Sequence, residues 1–87
     1  MAYSEDLLIR VHSKYEGHCY HCGKQIPFKN YAGREGERGK WEIDHGNPKA
    51  KGGVDDLRNL LPACICCNRE KNDKTTTEYR RFRNSGT

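Results

Sequence analysis

Cys19-Tyr20-His21-Cys22 and Cys64-Ile65-Cys66-Cys67 are the two stretches of sequence that decide the fold of this chain. In each stretch two residues separate a pair of cysteines, and this spacing lets both sulfurs bind the same metal ion. Four soft thiolate ligands form the closed tetrahedral shell that is typical of structural zinc. We therefore predict one structural Zn²⁺ bound by Cys19, Cys22, Cys64 and Cys67, with Cys66 left as a free thiol.

Other uses of these cysteines fit the sequence less well. The chain has five cysteines, and an odd number is a poor match for disulfide pairing. A redox Cys-x-x-Cys motif explains one pair and not two, and an iron–sulfur cluster is a further alternative. His18 and His21 lie beside the first pair, so either histidine could replace one of the cysteine ligands.

The composition favours a metal-stabilised domain over one that folds on packing alone. The chain has 87 residues, of which 33% are hydrophobic, against roughly 45–50% in average globular domains. Its mean hydropathy is −1.09. A chain this short and polar buries little apolar surface, whereas a structural zinc contributes roughly 10–16 kcal/mol of apparent folding free energy. We expect residues 1–87 to form a single domain, with its core motif at about residues 19–74.

The sequence shows no targeting or membrane signal. The first residues lack a basic region followed by an apolar run, and no stretch approaches the ~20 apolar residues of a membrane span. We therefore expect no membrane association and a cytoplasmic location. In a reducing cytoplasm, paired cysteines bind metal more often than they form disulfides.

The hydrophobic pattern predicts an α+β chain. It indicates a helix over residues 5–15, a flexible glycine-rich loop over 29–40, and a strand over 41–45 in which Trp41 packs in the core. A second strand follows near residues 59–63, where Pro62 favours a short or edge strand.

Two further helices are predicted after the second cysteine pair. Residues 68–71 are predicted to form the start of one helix. The other begins at Thr75, which forms a capping-box pattern with Glu78. In that last helix we expect Tyr79 and Phe82 to face the core. Its arginines, Arg80, Arg81 and Arg83, are expected to face solvent.

A second group of polar residues lies between the cysteine pairs and just after them. It consists of Asp44-His45, then the stretch from Gly52 to Leu60 (Gly-Gly-Val-Asp-Asp-Leu-Arg-Asn-Leu), then Cys67-Asn68-Arg69-Glu70-Lys71. With these motifs in this order, residues from about Cys19 to Lys74 resemble the HNH endonuclease family in its four-cysteine zinc variant. The resemblance implies a ββα-metal fold, here with an N-terminal and a C-terminal helix. In that fold a hairpin packs on a helix and a catalytic cation lies between them.

The resemblance also implies a role for each matching residue. His45 corresponds to the general base that takes a proton from the attacking water, a task that suits imidazole at neutral pH. Asp44 and Asn68 correspond to the ligands of a catalytic divalent cation, Mg²⁺ or Mn²⁺. Asn59 corresponds to the middle residue, which ties the loop between the strands and helps to orient the base.

The implied activity is hydrolysis of DNA phosphodiester bonds, by nicking or by double-strand cleavage. The chain carries a net charge of +4, which permits binding to a polyanion. We expect phosphate contacts from basic residues near the motifs: Lys49, Lys51, Arg69, Lys71 and Lys74. The protein would act as a monomer or weak homodimer, either alone or in a larger phage or restriction assembly.

Two alternatives stay open at this point. A non-catalytic zinc ribbon that binds nucleic acid would explain the cysteines and the basic C-terminal residues, but it gives Asp44, His45 and Asn68 no function. A degenerate HNH domain with a purely structural role is the other alternative.

Overall fold

Three α-helices and a two-stranded antiparallel sheet make up the part of the chain that the structure describes, residues 3–31 and 40–85 of a computed structural model. The regular elements, in chain order, are α1 (Glu5–Ser13), β1 (Trp41–His45), β2 (Leu60–Cys64), α2 (Ile65–Lys71) and α3 (Thr76–Ser85). Three short 3₁₀ turns cover Phe28–Asn30, Lys49–Lys51 and Leu57–Asn59. The α+β prediction is confirmed. Of the predicted loop over 29–40, residues 32–39 lie outside the described residues.

The hairpin of β1 and β2 is the centre of the fold. Trp41 pairs with Cys64 at one end of the ladder, and His45 pairs with Leu60 at the other. Trp41 is fully buried, as predicted. The second strand begins one residue later than predicted, and all five of its residues are buried. Pro62 fits there because each strand of a two-stranded sheet has a free edge, where a missing backbone N–H costs no ladder bond.

The loop between the strands folds back on itself at a glycine pair. Gly52 has a φ of +88°, a left-handed conformation that glycine adopts without strain. The Gly53 backbone passes so close to Asn47 that a Cβ atom at Gly53 would lie 1.7 Å from the Asn47 carbonyl oxygen. Only glycine fits at position 53, so the Gly-Gly motif fixes the path of this loop.

Helix α1 packs on the hairpin through Leu8 and Val11, which are buried. The Lys14 ammonium follows the helix and donates hydrogen bonds of 2.8 Å to two backbone carbonyls of the hairpin region. Burial lowers the pKa of Lys14. The helix ends at Ser13, earlier than the predicted residue 15, because Glu16 and Gly17 adopt positive φ angles of 52° and 78° and turn the chain.

Helix α2 begins at Ile65, three residues earlier than the sequence predicted. Its N-cap is Cys64, whose sulfur accepts a hydrogen bond from the Cys67 backbone N–H at 3.5 Å. The second cysteine pair is thus the first turn of the helix. The prediction missed this because cysteine is not among the residues that usually cap helices.

Helix α3 begins with the predicted capping box. The Thr75 hydroxyl accepts from the Glu78 backbone N–H at 3.2 Å, and the Glu78 carboxylate accepts from the Thr75 N–H at 2.8 Å. Tyr79 is fully buried, but Phe82 is 44% exposed, so the prediction that both face the core is wrong for Phe82. The three arginines of this helix are exposed, as expected.

Within residues 3–31 and 40–85, every helix is too short or too polar to cross a membrane.

Replacing Thr75 with alanine tests the capping box. We expect Thr75→Ala to lower the free energy of unfolding by about 1 kcal/mol, because the Glu78 N–H loses its side-chain partner. Thr77→Ala is the matched control, since Thr77 is exposed within the same helix. Urea denaturation at a fixed free zinc concentration measures both values, and an equal loss for both variants would contradict the capping role.

Candidate metal centre and active site

Four thiols form one cluster in the described part of the chain. The sulfur atoms of Cys19, Cys22, Cys64 and Cys67 all lie within 4.8 Å of one another. Cys22 Sγ and Cys64 Sγ are 3.9 Å apart. A tetrahedral Zn²⁺ with Zn–S bonds of about 2.3 Å requires sulfurs about 3.8 Å apart, so the cluster fits a zinc ion. Cys66 is exposed and lies outside the cluster.

Local backbone structure sets the position of each cysteine pair. The first pair lies in a tight turn, in which the Cys19 N–H donates to the Lys24 carbonyl at 2.8 Å and the Gly23 N–H donates to the Cys19 carbonyl at 2.9 Å. The second pair lies at the junction of β2 and α2. Burial raises the pKa of the Cys64 and Cys67 thiols. A cation is therefore needed to hold all the sulfurs as thiolates, because four negative charges at this separation repel each other.

The two histidines beside the first pair do not join the cluster among the described residues. His18 is exposed, and its Nδ1 lies 3.3 Å from the Tyr15 carbonyl. The ring of His21 contacts Asp44 instead, and its Nε2 lies 2.7 Å from a carboxylate oxygen of that residue. Both histidines are therefore unsuitable as replacement zinc ligands in this arrangement.

A separate cleft of about 250 Å³ lies between the hairpin and α2. Asp44 and His45 line it from the end of β1, and Asn68 lines it from α2. The structure thus brings together the residues that the resemblance pairs as cation ligands and general base. Asn72 and Asp73 add further oxygen atoms to the lining of the same cleft.

Asp44 is a buried carboxylate with two charged or polar partners. Its Oδ1 accepts from the Lys71 ammonium at 3.0 Å, and its Oδ2 lies 2.7 Å from Nε2 of His21. The side chains of Asp44, Lys71 and His21 are only 4%, 0% and 3% exposed. Lys71 also donates to the His45 carbonyl at 2.8 Å. Burying a charge is costly unless it is paired. Here the Asp44 carboxylate pairs with the Lys71 ammonium and also contacts the His21 ring.

This arrangement corrects the prediction that Lys71 contacts a nucleic-acid backbone. Its ammonium is fully buried and is bound to the protein itself, so it cannot reach a phosphate from this position. The other predicted basic residues have at least partly exposed side chains: Lys49, Lys51, Arg69 and Lys74. Of these, Lys49 pairs with Asp55 at 2.9 Å and Lys51 pairs with Glu78 at 2.6 Å.

Asn68 is oriented by the carboxylate of Glu42, a residue that belongs to none of the sequence motifs. Its Nδ2 donates to Glu42 Oε1 at 3.1 Å. Because the amide nitrogen is bound there, the Oδ1 oxygen of Asn68 is directed away from Glu42. A carbonyl oxygen in this position can act as a ligand for a hard cation.

Asn59 ties the loop between the strands. Its Nδ2 donates to the carbonyls of Asn47 and Val54, and its Oδ1 accepts from the Asn47 N–H at 2.8 Å. Its backbone carbonyl accepts from the Gly46 N–H at 2.8 Å. Within the described residues, Asn59 therefore bonds to backbone groups of this loop. Its effect on the His45 imidazole is indirect, through the path of the loop.

The imidazole of His45 is instead contacted by Asp55. Their Nε2 and Oδ1 atoms are 2.7 Å apart. Lys49 and the Tyr3 hydroxyl donate to the same carboxylate at 2.9 and 3.1 Å. Hydrogen bonds from His45, and to a smaller extent from Lys49, hold the pKa of Asp55 well below its usual range. Burial, and to a smaller extent the hydrogen bond to Asp55, raises the pKa of Tyr3 to about 12. Its phenol therefore stays protonated and can donate.

Sequence reasoning missed four residues around this cleft: Tyr3, His21, Glu42 and Asp55. Of these, Asp55 lies in the motif from Gly52 to Leu60, His21 lies between the first two cysteines, and Glu42 lies in the predicted first strand. Nothing in the sequence distinguishes Asp55 from the adjacent Asp56, whose carboxylate binds Arg58 instead.

A family model for HNH endonuclease matches residues 19–74, which is more than half of the chain. This chain belongs to the HNH endonuclease family. No curated protein matches the chain. The segment that matches the HNH model contains both cysteine pairs, the hairpin and α2. Helices α1 and α3 lie outside the matched segment, and so does Tyr3, whose hydroxyl donates to Asp55.

Two cysteines that are two positions apart, Cys64 inside the cluster and Cys66 outside it, test the zinc centre. We expect Cys64→Ser to lose bound zinc and to unfold, because a cluster of three thiolates binds the metal more weakly and this fold depends on it. Cys66→Ser should retain one zinc per chain and the wild-type circular dichroism spectrum. Elemental analysis by mass spectrometry measures the metal, and a folded, zinc-free Cys64→Ser protein would contradict the structural role.

A second substitution tests the buried ion pair. We expect Lys71→Met to destabilise the domain by about 3–5 kcal/mol, because it leaves the Asp44 carboxylate buried without its cation. Arg69→Met is the control, since Arg69 is exposed on the same helix. Thermal and urea unfolding at fixed zinc measure the difference, and equal stability of the two variants would show that Asp44 does not need Lys71.

Proposed function

We propose that this HNH protein is a metal-dependent endonuclease that hydrolyses phosphodiester bonds in DNA. The observation that carries the proposal is that Asp44, His45 and Asn68 line one cleft, although β1, which carries the first two, is separated in sequence from α2, which carries the third. The family assignment supports a nuclease-type activity. The thiol cluster lies apart from this cleft and does not contribute to its lining.

Asp44 and Asn68 are the residues that we propose to hold the catalytic cation. Each carboxylate oxygen has two lone pairs, so Asp44 can accept its bonds from Lys71 and His21 and still bind a cation. Asn68 adds its Oδ1, while Glu42 holds the amide nitrogen. Oxygen donors of this kind suit Mg²⁺ or Mn²⁺. When bound, such an ion stabilises the negative charge that develops on the phosphoryl and leaving oxygens.

His45 is the proposed general base. Its imidazole accepts a proton from a water molecule, whose oxygen attacks phosphorus. The bond between phosphorus and the 3′ oxygen then breaks, and the leaving oxygen takes up a proton. The products are a 5′-phosphate and a 3′-hydroxyl. A positioned general base of this kind contributes roughly 10²–10⁴-fold to the rate.

DNA is the proposed substrate, and exposed basic side chains are the proposed contacts to its backbone. Lys49 and Lys51 lie on the loop that borders the cleft, and Arg69 lies on α2 next to Asn68. Lys74 follows α2, and its ammonium is 4.7 Å from the centre of the Phe82 ring. Contacts from such residues to phosphates position a duplex without reading its sequence.

Zinc has a structural role in this proposal. Four thiolates complete the tetrahedral shell, so they leave no position for water or substrate. The two metals are separated by ligand type, with sulfur at one site and oxygen at the other.

One observation favours a second function, that of a non-catalytic zinc module which binds nucleic acid. Both oxygens of Asp44 already bind protein groups, and the carboxylate is 4% exposed. A cation must therefore share this carboxylate with Lys71 and His21.

A plasmid-nicking assay tests the proposed function. We expect the zinc-loaded wild-type protein to convert supercoiled plasmid to the nicked form with Mg²⁺ or Mn²⁺, and His45→Ala to lower the rate by about 10²–10⁴-fold, since it removes the base. His18→Ala is the matched control, because His18 is exposed and lies outside the cleft.

Zinc content and circular dichroism should be unchanged in both histidine variants. Cutting that survives in His45→Ala would show that the base is misassigned. If the wild-type protein binds plasmid but does not nick it with either ion, the nuclease proposal fails and the zinc-module function stands.

A further inference from the structure

We propose that Asp55 is the positioning residue of the His45 imidazole, which it holds in the tautomer with the proton on Nε2. This inference rests on the proposed nuclease function for its consequence, though not for its geometry. The observation behind it is the 2.7 Å contact between His45 Nε2 and Asp55 Oδ1. No other described residue reaches this imidazole nitrogen within 3 Å; the Tyr3 hydroxyl lies 3.5 Å away.

The protonation of the two partners follows from their chemistry. The pKa of Asp55 is lowered, so its carboxylate is ionised and can only accept hydrogen bonds. Nε2 of His45 must therefore donate. In a neutral imidazole the other nitrogen then carries the lone pair, so Nδ1 is the atom that can take a proton from water.

The same contact helps after proton transfer. Once Nδ1 has accepted a proton, the ring is a cation that still donates from Nε2 to the Asp55 carboxylate. An ionised acceptor stabilises this cation more than the neutral ring, because the bond becomes charge-assisted at both ends. Asp55 would therefore favour the transfer itself as well as the orientation of the ring.

Asp55 is held in place by more than His45. Lys49 binds its Oδ2 at 2.9 Å, and the Tyr3 hydroxyl binds its Oδ1 at 3.1 Å. The preceding residue, Val54, is fixed through its carbonyl, which accepts from Asn59 Nδ2 at 2.9 Å. Three donors on one carboxylate and a tethered backbone restrict Asp55 to this position, although its side chain is 45% exposed.

The simpler alternative is that Asp55 forms only a surface ion pair with Lys49. Exposed pairs of this kind contribute little to stability. In that case the loss of Asp55 would leave both the tautomer of His45 and the chemical step unchanged. The two alternatives therefore differ in quantities that can be measured.

The test compares three variants by nitrogen NMR of the histidine rings, in the pH range where the imidazoles are neutral. The His45 signals are identified by their loss in His45→Ala. We expect a predominant Nε2–H tautomer in the wild-type protein and a mixture of tautomers in Asp55→Ala. Asp55→Asn should keep the Nε2–H form, because its amide oxygen also accepts. Asp56→Ala is the matched control, since the adjacent Asp56 binds Arg58.

Kinetics give the second measurement. In plasmid nicking we expect Asp55→Ala to lower kcat about 10–100-fold, a part of the general-base contribution, with KM nearly unchanged. Asp55→Asn should recover part of the loss, because it restores the orientation but not the charge. Asp56→Ala should behave as wild type in both measurements.

The outcomes separate this inference from the proposed function. An unchanged His45 tautomer in Asp55→Ala overturns the role of Asp55, even if the protein is a nuclease. If the wild-type protein does not nick DNA, the nuclease proposal fails, while the NMR comparison still decides whether Asp55 sets the tautomer. Zinc content of each variant shows that the domain is intact.

Discussion

The four-thiol cluster is the constraint on which the rest of this structure depends. It joins a turn near the N-terminal helix to the junction between the second strand and α2. Arg83 on α3 also approaches it, with its guanidinium 3.4 Å from Cys67 Sγ. Three parts of the chain that are distant in sequence are thus held at one point. The apolar core of so short a chain is too small to do this alone.

His21 connects this cluster to the cleft. It lies between the first two cysteines, but its ring extends to Asp44, where it meets one carboxylate oxygen while Lys71 binds the other. The buried carboxylate is therefore bound on one side by His21, from the turn that holds Cys19 and Cys22, and on the other side by Lys71 of α2. These two bonds restrict the Asp44 side chain to one orientation, as the proposed role of a cation ligand requires.

Much of this arrangement could be predicted from local sequence, and the rest depends on tertiary contacts. The zinc ligands follow from spacing, the capping box of α3 from Thr75 and Glu78, and the first strand from its apolar alternation. The start of α2 could not be predicted, because a cysteine caps it. Asp55 could not be separated from Asp56, since both are acidic residues in one loop and only the folded loop turns one of them towards His45. Burial of Lys71 was missed because lysine normally faces solvent.

Helix α2 carries a zinc ligand, Cys67, and the proposed cation ligand Asn68 on neighbouring positions. Each residue advances an α-helix by about 100° around its axis, so these two side chains point in directions that differ by a fixed angle. One inserted residue between them would keep both side chains and still turn the amide out of the cleft. The angle between neighbouring positions of one helix therefore sets how the thiol cluster and the cleft are placed relative to each other, and a change in the length of this segment would misplace a side chain that most single substitutions in it would leave in position.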